Sequence, residues 1–267
     1  AAHVVESVET VLDILRRHDV TATFFVVGEL AAEYPGLIRR IEHRGHELGS
    51  HGHTHTPLFE LSPAQFEREL QQARAAIVDA AGVEPAGFRA PNFSVTRETS
   101  WAFDVLRESD HTYDSSVFPL RTPLYGVPGA PRRPYRVSAE DPFTGGAGDS
   151  GLDELPVSVV GSRVRLPLAG GFYGRLLPQR LFCRGVRRLN ERGLPANLYF
   201  HPWEFNPSVY TDEPSRTARF VSFHGIDCLG DLLDSLLSQF DFGPVERLRS
   251  TSRESTTGDH PDERSAL

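Results

Sequence analysis

Residues 20–49, VTATFFVVGELAAEYPGLIRRIEHRGHELG, decide the fold class. Val20 to Val27 is rich in β-branched and aromatic residues and reads as a buried strand. Residues 29–44 return to helical spacing and stop at Gly45, a residue suited to the left-handed turn that closes a helix, and His46 to Gly49 is strand-like again. Upstream, Val5, Val8, Leu12 and Leu15 recur at helical spacing as far as Asp19. Downstream, Ser62-Pro63-Ala64-Gln65 combines an N-cap, an N1 proline and a capping-box Gln, and Phe66, Leu70, Ala73 and Ile77 then mark one helix face down to Gly82. The spacing predicts a strand at Ala86 to Arg89, a helix from Thr96 to Ser109 and a strand at His111 to Asp114. The alternation pauses over 119–151, where Pro, Gly and Ser are frequent, and an irregular excursion is expected there. Strand-like LDELPVSVV (152–160) and RVRLPL (163–168) follow. A helix over Pro178 to Arg192, a strand over Ala196 to Phe200, and a final helix and strand between Gly225 and Leu248 complete the pattern.

Alternating strands and helices with apolar strands imply an α/β fold with a parallel sheet covered by helices, either barrel or open. In such a unit a helix follows a strand, so a strand ahead of Ala1 is expected. Residues 1–249 are expected to form one domain, and 250–267, which lack aromatics, a disordered tail. The 28 basic residues are all Arg and the net charge is −8, a balance unlike that of a dedicated nucleic-acid binder. No apolar run approaches the ~18 residues of a spanning helix. Cys183 and Cys228 form no CxxC pair, which argues against a zinc knuckle or a disulfide framework, and both are expected to be buried thiols. The start of the chain carries no information on compartment, and the cytoplasm is the default expectation.

His51-Gly52-His53-Thr54-His55 places three imidazoles within five residues. Two His separated by three residues can reach one ion from a helical turn or tight loop, so His51 and His55 are candidate ligands for zinc or another divalent transition metal. His53 points elsewhere and is expected to support the ligands or face substrate. Taken alone, such a cluster is also compatible with a polar turn. Its placement adds weight: His51, Arg89, Asp114 and His201 each follow or end a predicted strand, and in a β/α barrel those ends share one face. Two His and a third, carboxylate ligand would suit amide or ester hydrolysis. His201, in LYFHPWEF (198–205), is the candidate proton donor, with Trp203 offering a face to a sugar or only packing.

The residues together resemble the polysaccharide deacetylases with the NodB homology domain. Ser50 to His55 (SHGHTH) resembles the family's metal motif, with His51 and His55 as its two histidines. Arg89-Ala90-Pro91 resembles the Arg-x-Pro motif, whose arginine orients the catalytic carboxylate, and the Asn92-Phe93 backbone would bind the oxyanion. Tyr113-Asp114-Ser115-Ser116 resembles the motif whose aspartate tunes the acid, and Leu198 to His201 the one whose histidine is that acid. FRAPNFS, YDSSVFP and LYFHPWE look closer still to the branch associated with exopolysaccharide loci. The resemblance, over about residues 4–248, implies a distorted (β/α) barrel and removal of N-acetyl groups from an amino-sugar polymer. It departs at one place. The family's first strand carries the catalytic base and the third metal ligand, and no position here matches; Glu6, Glu9 and Asp13 lie on the first predicted helix. No base is therefore assigned, and the chain in its given extent is expected to be inactive. Two alternatives stand beside this one: hydrolysis of another linear or cyclic amide, and a carbohydrate-binding pseudoenzyme.

Overall fold

The computed structural model describes residues 2–122, 125–145, 151–161, 165–209 and 223–250. Helix α1 (Ala2–Arg17) leads into strand β1 (Thr23–Val26), then α2 (Gly28–Glu33), α3 (Pro35–His43), β2 (Glu47–Ser50), α4 (Pro63–Ala81), β3 (Gly87–Phe88), α5 (Ala102–Glu108) and β4 (Tyr113–Asp114). Strands β5 (Tyr135–Arg136), β6 (Asp153–Glu154), β7 (Val159–Val160) and β8 (Leu166–Pro167) precede helices α6 (Gly171–Leu176), α7 (Gln179–Asn190) and α8 (Leu229–Gln239). Six strands form one sheet in the order β1-β2-β3-β4-β6-β5, parallel except for the β5–β6 pair, and β7–β8 is a separate antiparallel ribbon. Phe24 lies opposite Leu48, Ser50 opposite Phe88, and Asp114 opposite Glu154. Parallel pairing requires crossover connections, and helices α2 to α5 supply those that join β1 through β4.

Helix α4 is the longest crossover. Its Gln65 side chain accepts the Ser62 N–H at 2.8 Å, and Gly82 closes it at φ +76. Phe66, Leu70, Ala73 and Ile77 are all buried beneath it. One core lies between α4, α5 and β3, a second between α1, α2, α3 and β1, and a third between α7, α8 and residues 194–205.

Several elements differ from the sequence pattern, each for a local reason. The expected helix over 29–44 is two helices, because Tyr34 precedes Pro35 and leaves the helical region at φ −125, ψ 55. The helix expected from Thr96 begins only at Ala102: the Thr99 hydroxyl accepts the Thr96 N–H and donates to the Ser94 carbonyl, holding that stretch as a side-chain turn. Residues 196–200 join no strand ladder. Between Pro195 and Pro202 the segment is tied to β7's approach by Ser158 N–H to Asn197 O and by Asn197 N–H to Ser158 Oγ. The strand expected before Leu248 is a 3₁₀ turn, Val245–Leu248, entered through Pro244. The excursion over 119–151 contributes β5 to the sheet, and α6, opening on paired glycines, had no helical signal. Cys228 is exposed rather than buried, since it precedes α8 at the surface; Cys183 is buried. The tail over 251–267 and positions 163–164 of the RVRLPL run lie outside the described residues. No helix among the described residues is long and apolar enough to cross a membrane.

Strand β1 is an edge of the main sheet. A cavity of about 1190 Å³ runs from it and α1 to residues 195–200 and α8, and His51, Arg89, Asn92 and His201 are among the residues that line it.

Candidate active site

The His51 to His55 loop leaves β2 and is clamped from two sides. The first amides of α2 donate to it, Gly28 N–H to Gly52 O and Glu29 N–H to His53 O. From α4, Glu69 Oε2 accepts both the His53 and the Thr54 N–H at 2.8 Å. His55 sits at φ +60, a left-handed conformation that this clamping sustains. The His51 and His55 rings meet edge to face with centroids 4.9 Å apart. His51 Nδ1 lies 2.6 Å from the Arg89 carbonyl, an acceptor only, so Nδ1 carries the proton and Nε2 is left with its lone pair. Burial pushes the His51 ring down to about 3. His55 is lowered as well, first by burial and then by the charge of His201, which lies within electrostatic reach of both rings. A neutral imidazole with one nitrogen fixed by a carbonyl, as in His51, is what a divalent transition ion needs, and the His55 ring beside it is lowered as well, so the pair fits as two ligands of such a site. Among the described residues no group of three or more His, Cys, Asp or Glu gathers to hold a metal. His53 does not face the cleft: its buried Nδ1 abuts Gly28 at the start of α2.

Arg89 follows β3. Its Nε donates to the Ser115 carbonyl at 2.8 Å and its Nη2 to Ser115 Oγ at 2.7 Å. Phe25 covers the guanidinium at 4.4 Å, with Phe93 and Tyr199 flanking it. Burial lowers Arg89 to about 10, which still leaves it charged at neutral pH. Asn92 and Phe93 adopt successive left-handed conformations at φ 55 and 51. The Phe93 N–H is used by the Ala90 carbonyl, so of the two amides expected to meet an oxyanion only that of Asn92 remains. The Phe93 ring instead packs on Phe118, Tyr125 and Tyr199.

Asp114 is fully buried, its carboxylate accepts the Ser116 N–H and hydroxyl, and Glu154 lies opposite it on β6; no hydrogen bond or ion pair joins it to His201 among the described residues. The Ser116 hydroxyl in turn accepts the Ala90 N–H at 2.7 Å, so the pair supports the loop that carries Arg89 and Asn92. The carboxylate beside His201 is Glu204, with Oε2 3.4 Å from Nδ1. His201 caps the 3₁₀ turn Pro202–Phe205, stacks on Trp203 at 5.9 Å and meets Tyr199 edge-on at 5.7 Å.

Five residues of this arrangement escaped the sequence reading. Glu69, Glu154 and Arg175 carry no local signal. Asn197 is buried in the predicted strand and donates to Ser115 Oγ and the Leu155 carbonyl. Glu204 did leave a trace, since His201-Pro202-x-Glu204 has the N-cap, N1 and N3 pattern of a capping box.

Two family profiles match adjoining segments. Residues 3–111 match the polysaccharide deacetylases, and residues 115–250 match a domain of unknown function, DUF3473. Two solved structures share the fold. One, from Mycobacterium smegmatis and assigned to the polysaccharide deacetylases, is 23% identical with a TM-score of 0.61, covering 98% of this chain and 82% of its own. The other, from Pseudomonas aeruginosa PAO1 and assigned likewise, is 17% identical with a TM-score of 0.60, covering 93% and 73%. The fold is thus the mostly parallel, distorted α/β barrel of these hydrolases. The chain belongs to the family of that domain of unknown function, DUF3473, and its residues 3–111 match the polysaccharide deacetylases. A chitooligosaccharide deacetylase of Bradyrhizobium is 41% identical over 100 residues, 37% of this chain and 43% of the relative. A peptidoglycan N-acetylglucosamine deacetylase of Listeria monocytogenes is 36% identical over 90 residues, 34% of this chain and 19% of the relative. The chain therefore spans less than half the length of these curated relatives.

Proposed function

We propose that this chain carries the catalytic site of a metal-dependent hydrolase that removes N-acetyl groups from an amino-sugar polysaccharide or oligosaccharide. The observation that carries the reading is convergence: His51, the Arg89 and Asn92 loop, and His201 come from three separate segments and line one cleft with Tyr199 and Trp203. Hydrolysis of an acetamide needs water to add to the carbonyl carbon, charge to be stabilised on the oxygen, and a proton to reach the nitrogen as the C–N bond breaks. His201, which lines the cleft, supplies that proton to the departing amine. The Asn92 N–H supports the carbonyl oxygen, and Arg89 keeps a fixed positive charge beside it. A divalent transition ion, zinc or a similar metal, held by His51 and His55 would supply Lewis acidity and a more acidic water. Trp203 and Tyr199 offer aromatic faces suited to a sugar ring. The partner is an acetylated amino-sugar polymer, and the relatives' names favour chitin-like or peptidoglycan-like chains over other amides.

A binding-only module is the second reading. It is favoured by the lack of a carboxylate beside the His51–His55 pair among the described residues. Glu47 does not fill that role, because its carboxylate is bonded to Thr23 and, at 2.5 Å, to the Tyr113 hydroxyl at the far end of β2. Acetate release from acetylated chito-oligosaccharides and peptidoglycan, measured before and after chelation and metal add-back, decides between them. Release that is lost with the metal and restored with it supports the hydrolase; sugar binding without release under every condition supports the module.

A further inference from the structure

The turn that carries His201 has a second buried feature that the proposed reaction does not by itself require. Glu204 and Arg175 are both withdrawn from solvent, with side chains 3% and 2% exposed, and Arg175 Nη2 donates to Glu204 Oε1 at 2.9 Å. Arg175 Nη1 also donates to the His224 carbonyl at 2.8 Å, which fixes its fork. The other carboxylate oxygen, Oε2, accepts the His201 backbone N–H at 2.9 Å and faces His201 Nδ1. A buried ion pair is weak evidence of stability, because desolvation of two charges offsets their attraction. Its position against a half-exposed histidine is therefore the informative point.

The fold makes room for the pair. A Cβ on Gly171 would lie 2.1 Å from Glu204 Oε2 and 2.2 Å from Oε1, so only glycine lets the first turn of α6 approach the carboxylate. Burial alone would raise Glu204, but the hydrogen bonds from His201 and the pairing with Arg175 outweigh it and hold the carboxyl below its ordinary range. At neutral pH it is an anion with one oxygen on Arg175 and one on His201.

We propose that Glu204, anchored by Arg175, is the positioning carboxylate of His201: it holds the Nδ1–H, so that Nε2 is the nitrogen presented to the cleft. The inference rests on the reading of His201 as the proton donor, and it replaces Asp114 in the role of the acid's partner. Among the described residues five charged or titratable groups surround the ring: Glu204 with Arg175 behind it, Tyr199, and His51 and His55 across the cleft. Of these, Glu204 is the one paired with Nδ1, at 3.4 Å. When Nε2–H passes its proton to the amine nitrogen, the Nδ1 proton stays on the ring, which is left neutral and still bonded to the carboxylate.

The test reads the imidazole directly. Ring ¹⁵N shifts of His201, assigned with the His201→Gln variant, should show a neutral form protonated at Nδ1 in the unaltered protein. Glu204→Gln should shift that form toward Nε2–H, lower kcat about 10 to 100-fold as for other outer partners of a functional histidine, leave KM within about twofold, and move the pH limb due to His201. Because Glu204→Gln strands the Arg175 charge, the paired variant Glu204→Gln/Arg175→Met, which removes both charges, should give the same tautomer change in a folded protein. A neutral ring protonated at Nε2 in the unaltered protein, or a tautomer and pH profile that survive both variants, overturns the proposal. An unaltered protein that releases no acetate but keeps the Nδ1–H tautomer, lost in the variants, would uphold the positioning role while removing the deacetylase reading.

Discussion

The Asp114–Glu154 pair makes a prediction that does not depend on the substrate. Both side chains are fully buried, across neighbouring strands β4 and β6. Glu154 Oε1 accepts the Val117 N–H at 3.0 Å, and Oε2 has no donor partner among the described residues other than the facing acid. Arg89 is the nearby cation, and it lowers both acids electrostatically, so one negative charge is compensated and a second is not. Two carboxyls in this setting share one proton. Burial, followed by the charge of Asp114, pushes Glu154 well above its ordinary value; Asp114 is raised by burial but bonded by Ser116. Glu154 is the acid that keeps the proton.

Holding a proton at pH 7 on a carboxyl whose ordinary value is 4.5 costs the fold up to about 3 kcal/mol. Between its unfolded and folded values the native state binds the extra proton, so this contribution weakens the protein as pH rises through that window. Glu154→Gln supplies the same pattern without titrating: its amide N–H donates to Asp114 and its oxygen accepts Val117 N–H. In urea unfolding at pH 5 and pH 7.5, the variant should be nearly neutral at pH 5 and more stable than the parent by about 1–3 kcal/mol at pH 7.5. Asp114→Asn puts an amide donor against the Ser116 donors and should lose about 1–3 kcal/mol at both values. A Glu154→Gln protein that is destabilised at pH 7.5, or whose difference from the parent does not change with pH, would refute the shared proton.

Other outcomes test the site itself. His51→Ala and His55→Ala should each abolish tight binding of zinc, by equilibrium dialysis, while His53→Ala, whose ring abuts α2, should not; equal losses at all three positions would sink the ligand assignment. His201→Ala should lower turnover by roughly 100 to 10,000-fold with metal content unchanged, and unchanged turnover would place the acid elsewhere. Glu69→Ala removes the acceptor for two loop amides and should weaken metal affinity about 10 to 100-fold, read by the same dialysis, whereas an unaltered affinity would show that α2 alone holds the loop.

What the sequence made legible was whatever repeats along the chain. The apolar period under α4 and the β-branched run at β1 each reflect burial on one face, and burial leaves a period. The His51 to His55 spacing likewise names its own geometry. The 196–200 segment misled because its composition suits a strand, while Pro195 and Pro202 limit its pairing to the contacts with Ser158. Glu154 was illegible for another reason: a carboxylate inside the strand-like LDELPV carries no local mark of its partner, which becomes a neighbour only when β4 pairs with β6. The neighbours of Asp114 were hidden in the same way. A motif gives the residue type at a strand end, but the direction of its side chain is set by which strand lies alongside.

That dependence also joins the two matched segments. Residues 3–111 contribute β1 to β3, His51, His55 and Arg89; residues 115–250 contribute β5 and β6, Glu154, Arg175, His201 and Glu204. Strand β4, which lies between them, pairs with β3 on one side and β6 on the other. Arg89 belongs to the first segment, yet the groups it donates to, Ser115 and Asn197, belong to the second. The Ala90 amide is likewise held by Ser116. A buried guanidinium deprived of those acceptors would lose several kcal/mol of compensation, so the geometry of the Arg89 loop depends on the second segment being folded against the first. The second segment therefore does more than extend the sheet: it brings His201, the proposed proton donor, and, through Ser115, Ser116 and Asn197, orients the loop on which the first segment carries its own charge.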